Sequence, residues 1–239
     1  MSYLLVHGAW HGAWCWDKLI AELESRGESA VAIDLPGHGK GERAGWHISL
    51  DDYADAVNAS AETLGGNVHL VGHSMGGVVI SEAAERRPDL YQSLTYATAF
   101  LLPSGQSLLS AASSCDSPDL KKANKLPNLI RGYGRIDPRF AVAAFYNSCS
   151  EEDASIAVSR LCAQSLRPFL KKLNLTDKKW GSIRRNYVFC EQDNAIPLKN
   201  QRLFVEALPC DNTVSLDTDH SPFMSAPEEL AESLLSLTA

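Results

Sequence analysis

The chain has 239 residues, 45% of them hydrophobic and 21% charged, and a formal net charge of −7 at pH 7. That length supports one α/β unit with a substantial core, and no apolar run reaches the length that a bilayer span needs. The acidic balance speaks against nucleic acid and anionic membrane surfaces as partners, because both reward a basic stripe.

The first predicted strand, Tyr3–Val6, follows Met1-Ser2 directly, without the basic, apolar and small-residue segments of a signal peptide, so a cytoplasmic protein is expected. Trp16–Arg26 carries apolar residues at helical spacing and stops at Gly27; Ala30–Ile33 is the second strand. Gly37-His-Gly39-Lys-Gly41 lacks the spacing of a dinucleotide fingerprint. Ser49-Leu-Asp-Asp52 reads as a capping box opening a helix that runs to Leu64. Val68–Val71, Leu94–Thr98, Tyr187–Cys190 and Thr213–Leu216 complete the strands, and Ser225-Ala-Pro-Glu228 repeats the capping signature before a C-terminal helix. Strands alternating with helices predict an α/β fold with a mainly parallel, doubly wound sheet. The alternation is interrupted once, between about Pro103 and Lys179, by serine-rich and then helical sequence (Ala154–Lys172). This stretch is expected to form a helical cap on a core of residues 1–102 and 180–239. From Lys121 to Arg185 basic side chains outnumber acidic ones, which fits either solvated helix faces or a mildly positive lid favouring anionic substrates. The six scattered cysteines form no C-x-x-C or Cys/His zinc spacing, and read as reduced structural thiols.

The chemistry is concentrated at Gly72-His73-Ser74-Met75-Gly76, a G-x-S-x-G placed directly after a strand and before a helix. A turn that lifts a serine above a sheet is strained at the nucleophile and wants glycine on both sides. The Met75 N–H and the helix N-terminus then face charge developing on a bound carbonyl. A serine needs a base, and seven histidines compete: His7, His11, His38, His47, His69, His73 and His220. His220 follows the last strand on a loop at the sheet's carboxyl edge, whereas His69 is inside a strand and His38 and His47 are in or near turns. The orienting acid belongs between them in the chain, after a strand; Asp193 fits, with Glu191 competing and Asp217 and Asp219 too close to His220. The end of the Leu94–Thr98 strand offers no acid. Gly8 lets the chain turn after the first strand and sets the Ala9 N–H beside that of Met75, as the two donors of an oxyanion hole. His7 reads as a structural hydrogen-bonding residue; Trp10, His11 and Trp14 are equally readable as pocket lining or core. With no metal cluster, P-loop or dinucleotide fingerprint, cofactor-free and metal-free chemistry is expected.

These residues resemble the α/β-hydrolases, and within them the plant methylesterases, salicylate-binding-protein-like esterases and hydroxynitrile lyases. The resemblance covers nearly the whole chain. It rests on Val6-His-Gly-Ala-Trp-His-Gly-Ala-Trp14, Leu70-Val-Gly-His-Ser-Met-Gly-Gly77, Cys149-Ser-Glu-Glu-Asp153, Gly181-Ser-Ile-Arg-Arg185, Glu191-Gln-Asp193 with Ile196-Pro197, and Asp219-His220. It implies an α/β-hydrolase fold, a Ser74, Asp193, His220 triad, an Ala9 and Met75 oxyanion hole, and a cap over an apolar pocket for a small ester. The lyases of this group carry a threonine after the first histidine of the H-x-x-x-H-G loop and a lysine after the catalytic histidine. Gly8 and Ser221, which count with Trp10, His11 and Trp14 as substrate-pocket candidates, stand at those positions, which favours the esterase. The expectation is a serine carboxylic-ester hydrolase, a monomer or homodimer; cyanohydrin cleavage and a ligand receptor with little turnover are the alternatives.

Overall fold

The computed structural model describes residues 1–39 and 41–238; Lys40, in the Gly37-His-Gly39-Lys-Gly41 sequence, and Ala239 lie outside the described residues. In chain order the first part comprises β1 (Ser2–Val6), α1 (Asp17–Ser25), β2 (Ser29–Ile33), α2 (Leu50–Thr63), β3 (Val68–His73), α3 (Gly76–Arg86) and β4 (Tyr91–Ala97). The interruption holds α4 (Leu108–Ser114), α5 (Pro118–Ala123), β5 (Asn124–Asn128), β6 (Tyr133–Ile136), α6 (Pro138–Phe145), α7 (Glu151–Arg160), β7 (Gln164–Ser165) and α8 (Arg167–Leu170). The chain then returns through β8 (Arg184–Cys190), α9 (Leu198–Ala207), β9 (Asn212–Leu216), α10 (Pro222–Ser225) and α11 (Pro227–Thr238).

Six strands form one sheet in the order β2-β1-β3-β4-β8-β9, every pair parallel. Side chains alternate across a strand, so each strand feeds two cores. Leu4, Val6, Leu70, Leu94, Tyr96 and Tyr187 belong to the core that includes Val57 of α2 and Val79 of α3. Tyr3, Leu5, Val71, Ala97 and Val188 belong to the other, with Leu19 of α1 and Leu234 of α11. A sheet covered on both faces needs nearly continuous apolar strands, and β3 is buried at every position. Because the strands run parallel, their carboxyl ends share one edge, where loops are free to carry chemistry.

The α2 capping box is present: Ser49 accepts from the Asp52 N–H, and Asp52 Oδ2 accepts the Ser49 N–H at 2.7 Å. Three expectations need correction. The cap is mixed rather than helical, since β5, β6 and β7 make a second, antiparallel sheet. Ala154–Lys172 is not one helix: α7 starts earlier because Ser150 caps it, ends at Arg160 where Leu161 is extended, and is separated from the short α8 by β7. Ser225 does not turn its hydroxyl toward α11; it donates to Asp219 Oδ1 at 2.8 Å and to the Ser221 carbonyl at 3.0 Å.

Candidate active site

Ser74 follows β3 with φ +53°, in the left-handed region that a side chain rarely occupies. Backbone crowding dictates the flanking glycines: a Cβ on Gly72 would lie 2.6 Å from the Gly76 carbonyl oxygen, and one on Gly76 would lie 2.7 Å from that of Val6. The Ser74 carbonyl accepts the Phe100 N–H at 3.1 Å, which ties the turn to the segment after β4. The serine is thereby raised at the carboxyl edge, directly ahead of the N-terminus of α3.

His220 lies on the loop after β9, with Nδ1 2.7 Å from Asp193 Oδ2. Asp193 is buried in the turn after β8. Its Oδ1 accepts the N–H groups of Ala195 at 2.6 Å and Ile196 at 2.8 Å, and its Oδ2 also accepts the Thr98 hydroxyl. With four donors converging on it, the carboxylate has one orientation, and that orientation fixes the imidazole. The competing acids are placed otherwise. Glu191 is exposed, Asp217 accepts from Gln192, and the buried Asp219 accepts from the Ser148 and Ser221 N–H groups at 2.7 and 3.0 Å. Asp219 thus staples the His220 loop to the cap. The His220 carbonyl accepts from His73 Nε2 at 2.7 Å, so the residue before the nucleophile holds the backbone of the base.

Ser74, His220, Ala9 and Met75 line one cavity of about 420 Å³, whose walls are mostly apolar. Among the described residues no hydrogen bond joins Ser74 Oγ to His220; such contacts commonly tighten only when substrate is bound. The loop carrying Ala9 comes very near the nucleophile, since a Cβ on Gly8 would sit 2.8 Å from both Ser74 Cβ and His73 Nδ1. Among the described residues neither the Ala9 nor the Met75 amide donates to a protein acceptor. Two N–H groups on one cavity wall beside a serine have the composition of an oxyanion site.

The remaining pocket candidates divide. Trp10 reaches the cavity wall, and Gly8 lies beneath it. His11 is turned away, between the Ala9 carbonyl and the Tyr146 hydroxyl, each at 2.8 Å. Trp14 lines a separate cleft under the Arg160 guanidinium, 4.8 Å from its ring centre. Ser221 is buried off the cavity wall. His7 accepts the Leu35 N–H at 3.1 Å and holds the Gly8 carbonyl at 2.8 Å, a structural role. Sequence reasoning passed over Thr98, which has φ +38° at the end of β4. The strand end that offers no acid in the sequence holds instead the hydroxyl that donates to one.

Burial keeps several histidines neutral in the fold. Desolvation lowers His11 to about 4, and, with neighbouring histidines adding to it, drives His7 and His73 well below the ordinary 6.5. The unfolded chain therefore binds more protons than the folded one between pH 6.5 and about 4, and stability falls as pH falls through that window. His11 alone is expected to contribute about 3 kcal/mol of lost stability by pH 4. Calorimetric melting temperatures across pH 4 to 7 check this; a flat profile would contradict it.

Residues 3–233 match the model of the alpha/beta hydrolase family. The chain is 31% identical to methyl jasmonate esterase 1 of Vitis vinifera over 243 residues, covering 95% of this chain and 93% of that protein. It is 34% identical to a chloroplastic Arabidopsis thaliana protein that carries the name methylesterase 11, over 98% of this chain; it spans 63% of that relative's length. Among solved structures, a pyrethroid hydrolase from Sphingobium faniae JZ-2 superposes with a TM-score of 0.90 at 26% identity, covering 100% of this chain and 97% of that one.

Proposed function

The chain belongs to the α/β-hydrolase family, among its methylesterase-like members, and from that premise we propose that it is a serine carboxylic-ester hydrolase working through an acyl-enzyme. One observation carries the reading: His220, held at 2.7 Å by a fully engaged Asp193, shares a cavity with a serine in the left-handed conformation. Ser74 Oγ attacks the ester carbonyl while His220 Nε2 takes its proton, and Asp193 stabilises the imidazolium through Nδ1. The Ala9 and Met75 N–H groups receive the charge on the carbonyl oxygen. His220 returns the proton to the leaving alcohol, which departs, and then activates water to release the acid.

The apolar walls suit a largely apolar ester, and proteins similar to this chain include one named methyl jasmonate esterase 1 and one named a pyrethroid hydrolase. Lys121 brings a positive charge to the cavity wall, but it is exposed and paired with Asp116 at 3.4 Å, so solvent weakens its pull on an anionic substrate. Cyanohydrin cleavage gains no support, because Gly8 and Ser221 supply neither the threonine nor the lysine expected of the lyases.

The test is turnover of p-nitrophenyl acetate and a panel of small methyl esters, run beside cyanide release from mandelonitrile. Ester hydrolysis without cyanide release is expected; the reverse pattern would exchange the esterase for the lyase.

A further inference from the structure

Trp10 has φ +64°, is 8% exposed, and its indole N–H has no partner among the described residues. A large side chain in that conformation is held by its surroundings rather than by local preference. Its carbonyl accepts the Cys162 N–H at 2.9 Å, its own N–H points to Gln164 Oε1 at 3.4 Å, and its rings neighbour Phe145 and Phe169 at 6.1 and 6.3 Å between centres. All of those contacts come from the cap.

The indole is a wall of two cavities. One is the catalytic cavity; the other is a partly open chamber of about 230 Å³ against the cap sheet, whose apolar walls include Leu166 and the exposed Trp46, Leu129 and Leu170. The two share Trp10, Leu109, Asn124 and Phe169. Gln164, also on the second chamber, has its amide engaged by Tyr53 and the Ser165 carbonyl, so it does not ask a ligand for a hydrogen bond. Trp46 is held on the chamber wall by its indole N–H, which donates to the Leu129 carbonyl at 2.9 Å.

We propose that this second chamber is an acyl-tail subsite, that the substrates are esters of acids with a linear apolar chain, and that Trp10 is the partition past which the distal end of the chain lies. The proposal rests on the esterase reading. The tail is assigned to the acyl side because Trp10 directly follows the oxyanion donor Ala9, whereas the leaving alcohol departs toward His220, which does not border the chamber. Apolar walls reward each methylene withdrawn from water by about fourfold in binding.

Gly134 on β6 borders the chamber but not the catalytic cavity, and a Cβ there would meet Leu166 Cδ2 at 3.6 Å, an ordinary contact. In a p-nitrophenyl ester series from acetate to decanoate, kcat/KM of the unmodified protein is expected to rise with chain length. In Gly134→Val the decanoate-to-acetate ratio is expected to fall about tenfold or more, as the valine excludes two or more methylenes. Equal ratios in the two proteins overturn the proposal, and so does a length preference that follows the alcohol of alkyl acetates instead. Gly134→Ala gives the same comparison on a smaller scale should the valine variant not fold. If no ester is turned over, the esterase reading fails by itself, and calorimetric binding of decanoate against acetate judges the chamber. Tighter decanoate binding that Gly134→Val weakens sustains it, and equal binding in both proteins removes it.

Discussion

Ser74→Ala is expected to lower the turnover of a p-nitrophenyl ester by about a million-fold, the scale on which removal of a triad nucleophile acts. The hydroxyl is the group raised at the carboxyl edge by the turn after β3, and the cavity presents it beside His220, Ala9 and Met75. In the proposed mechanism what remains in the variant is the pair of amides, which would bind the carbonyl oxygen without giving the carbon anything to bond to. Stability should change little, because alanine at φ +53° carries much the same backbone strain as serine. Circular dichroism and a melting curve beside the kinetic assay separate a lost nucleophile from a lost fold. Turnover retained within tenfold would remove Ser74 from the mechanism.

Asp193→Asn is expected to lower kcat by about ten-thousand-fold, the loss seen when the orienting acid of a serine triad is made an amide. The geometry gives the reason. The carbonyl oxygen of an asparagine here takes the Oδ1 place, where the Ala195 and Ile196 N–H groups at 2.6 and 2.8 Å demand an acceptor. Its NH2 group then faces His220 Nδ1, so two donors meet and the imidazole must move its proton to Nε2. A protonated, neutral Nε2 cannot take the proton of Ser74. Steady-state kinetics with a pH profile decides the matter; near-normal kcat would move the orienting role to Glu191, Asp217 or Asp219.

The central sheet was legible because strands buried on two faces must be apolar almost throughout, and Tyr3–Val6 and Val68–Val71 have no other reading. The placement of the candidate site was legible because a strained serine turn leaves glycines at fixed offsets, and because the order serine, acid, histidine along a parallel sheet sets all three at one edge. The cap was harder to read. Strand β5 contains Pro127, β6 contains Gly134 and spans four residues, and β7 spans two, so none carries an alternating pattern. The helical reading of Ala154–Lys172 overlooked that Pro168 starts a new turn rather than continuing an old one. Trp10, His11 and Trp14 lie within five residues of one another in the sequence, yet they separate in space: a 3-10 turn begins at Ala13 and carries Trp14 to another cleft, while His11 turns in toward Tyr146. Thr98 carried no signal as a lone threonine at a strand end, since its role appears only with Asp193 beside it.

The bonds from Cys162 and Gln164 to the backbone of Trp10 have a consequence for anyone who would exchange caps between relatives. The residue they grip is the neighbour of Ala9, so in the proposed mechanism the cap that covers the cavity also holds the loop that would stabilise the transition state. A chimaera that replaces residues from Pro103 onward but omits an equivalent of these two partners inherits a new pocket and a slackened catalytic loop together. Under the proposed mechanism, specificity and rate are then not separable modules in this chain: a graft that succeeds must carry its own bolts.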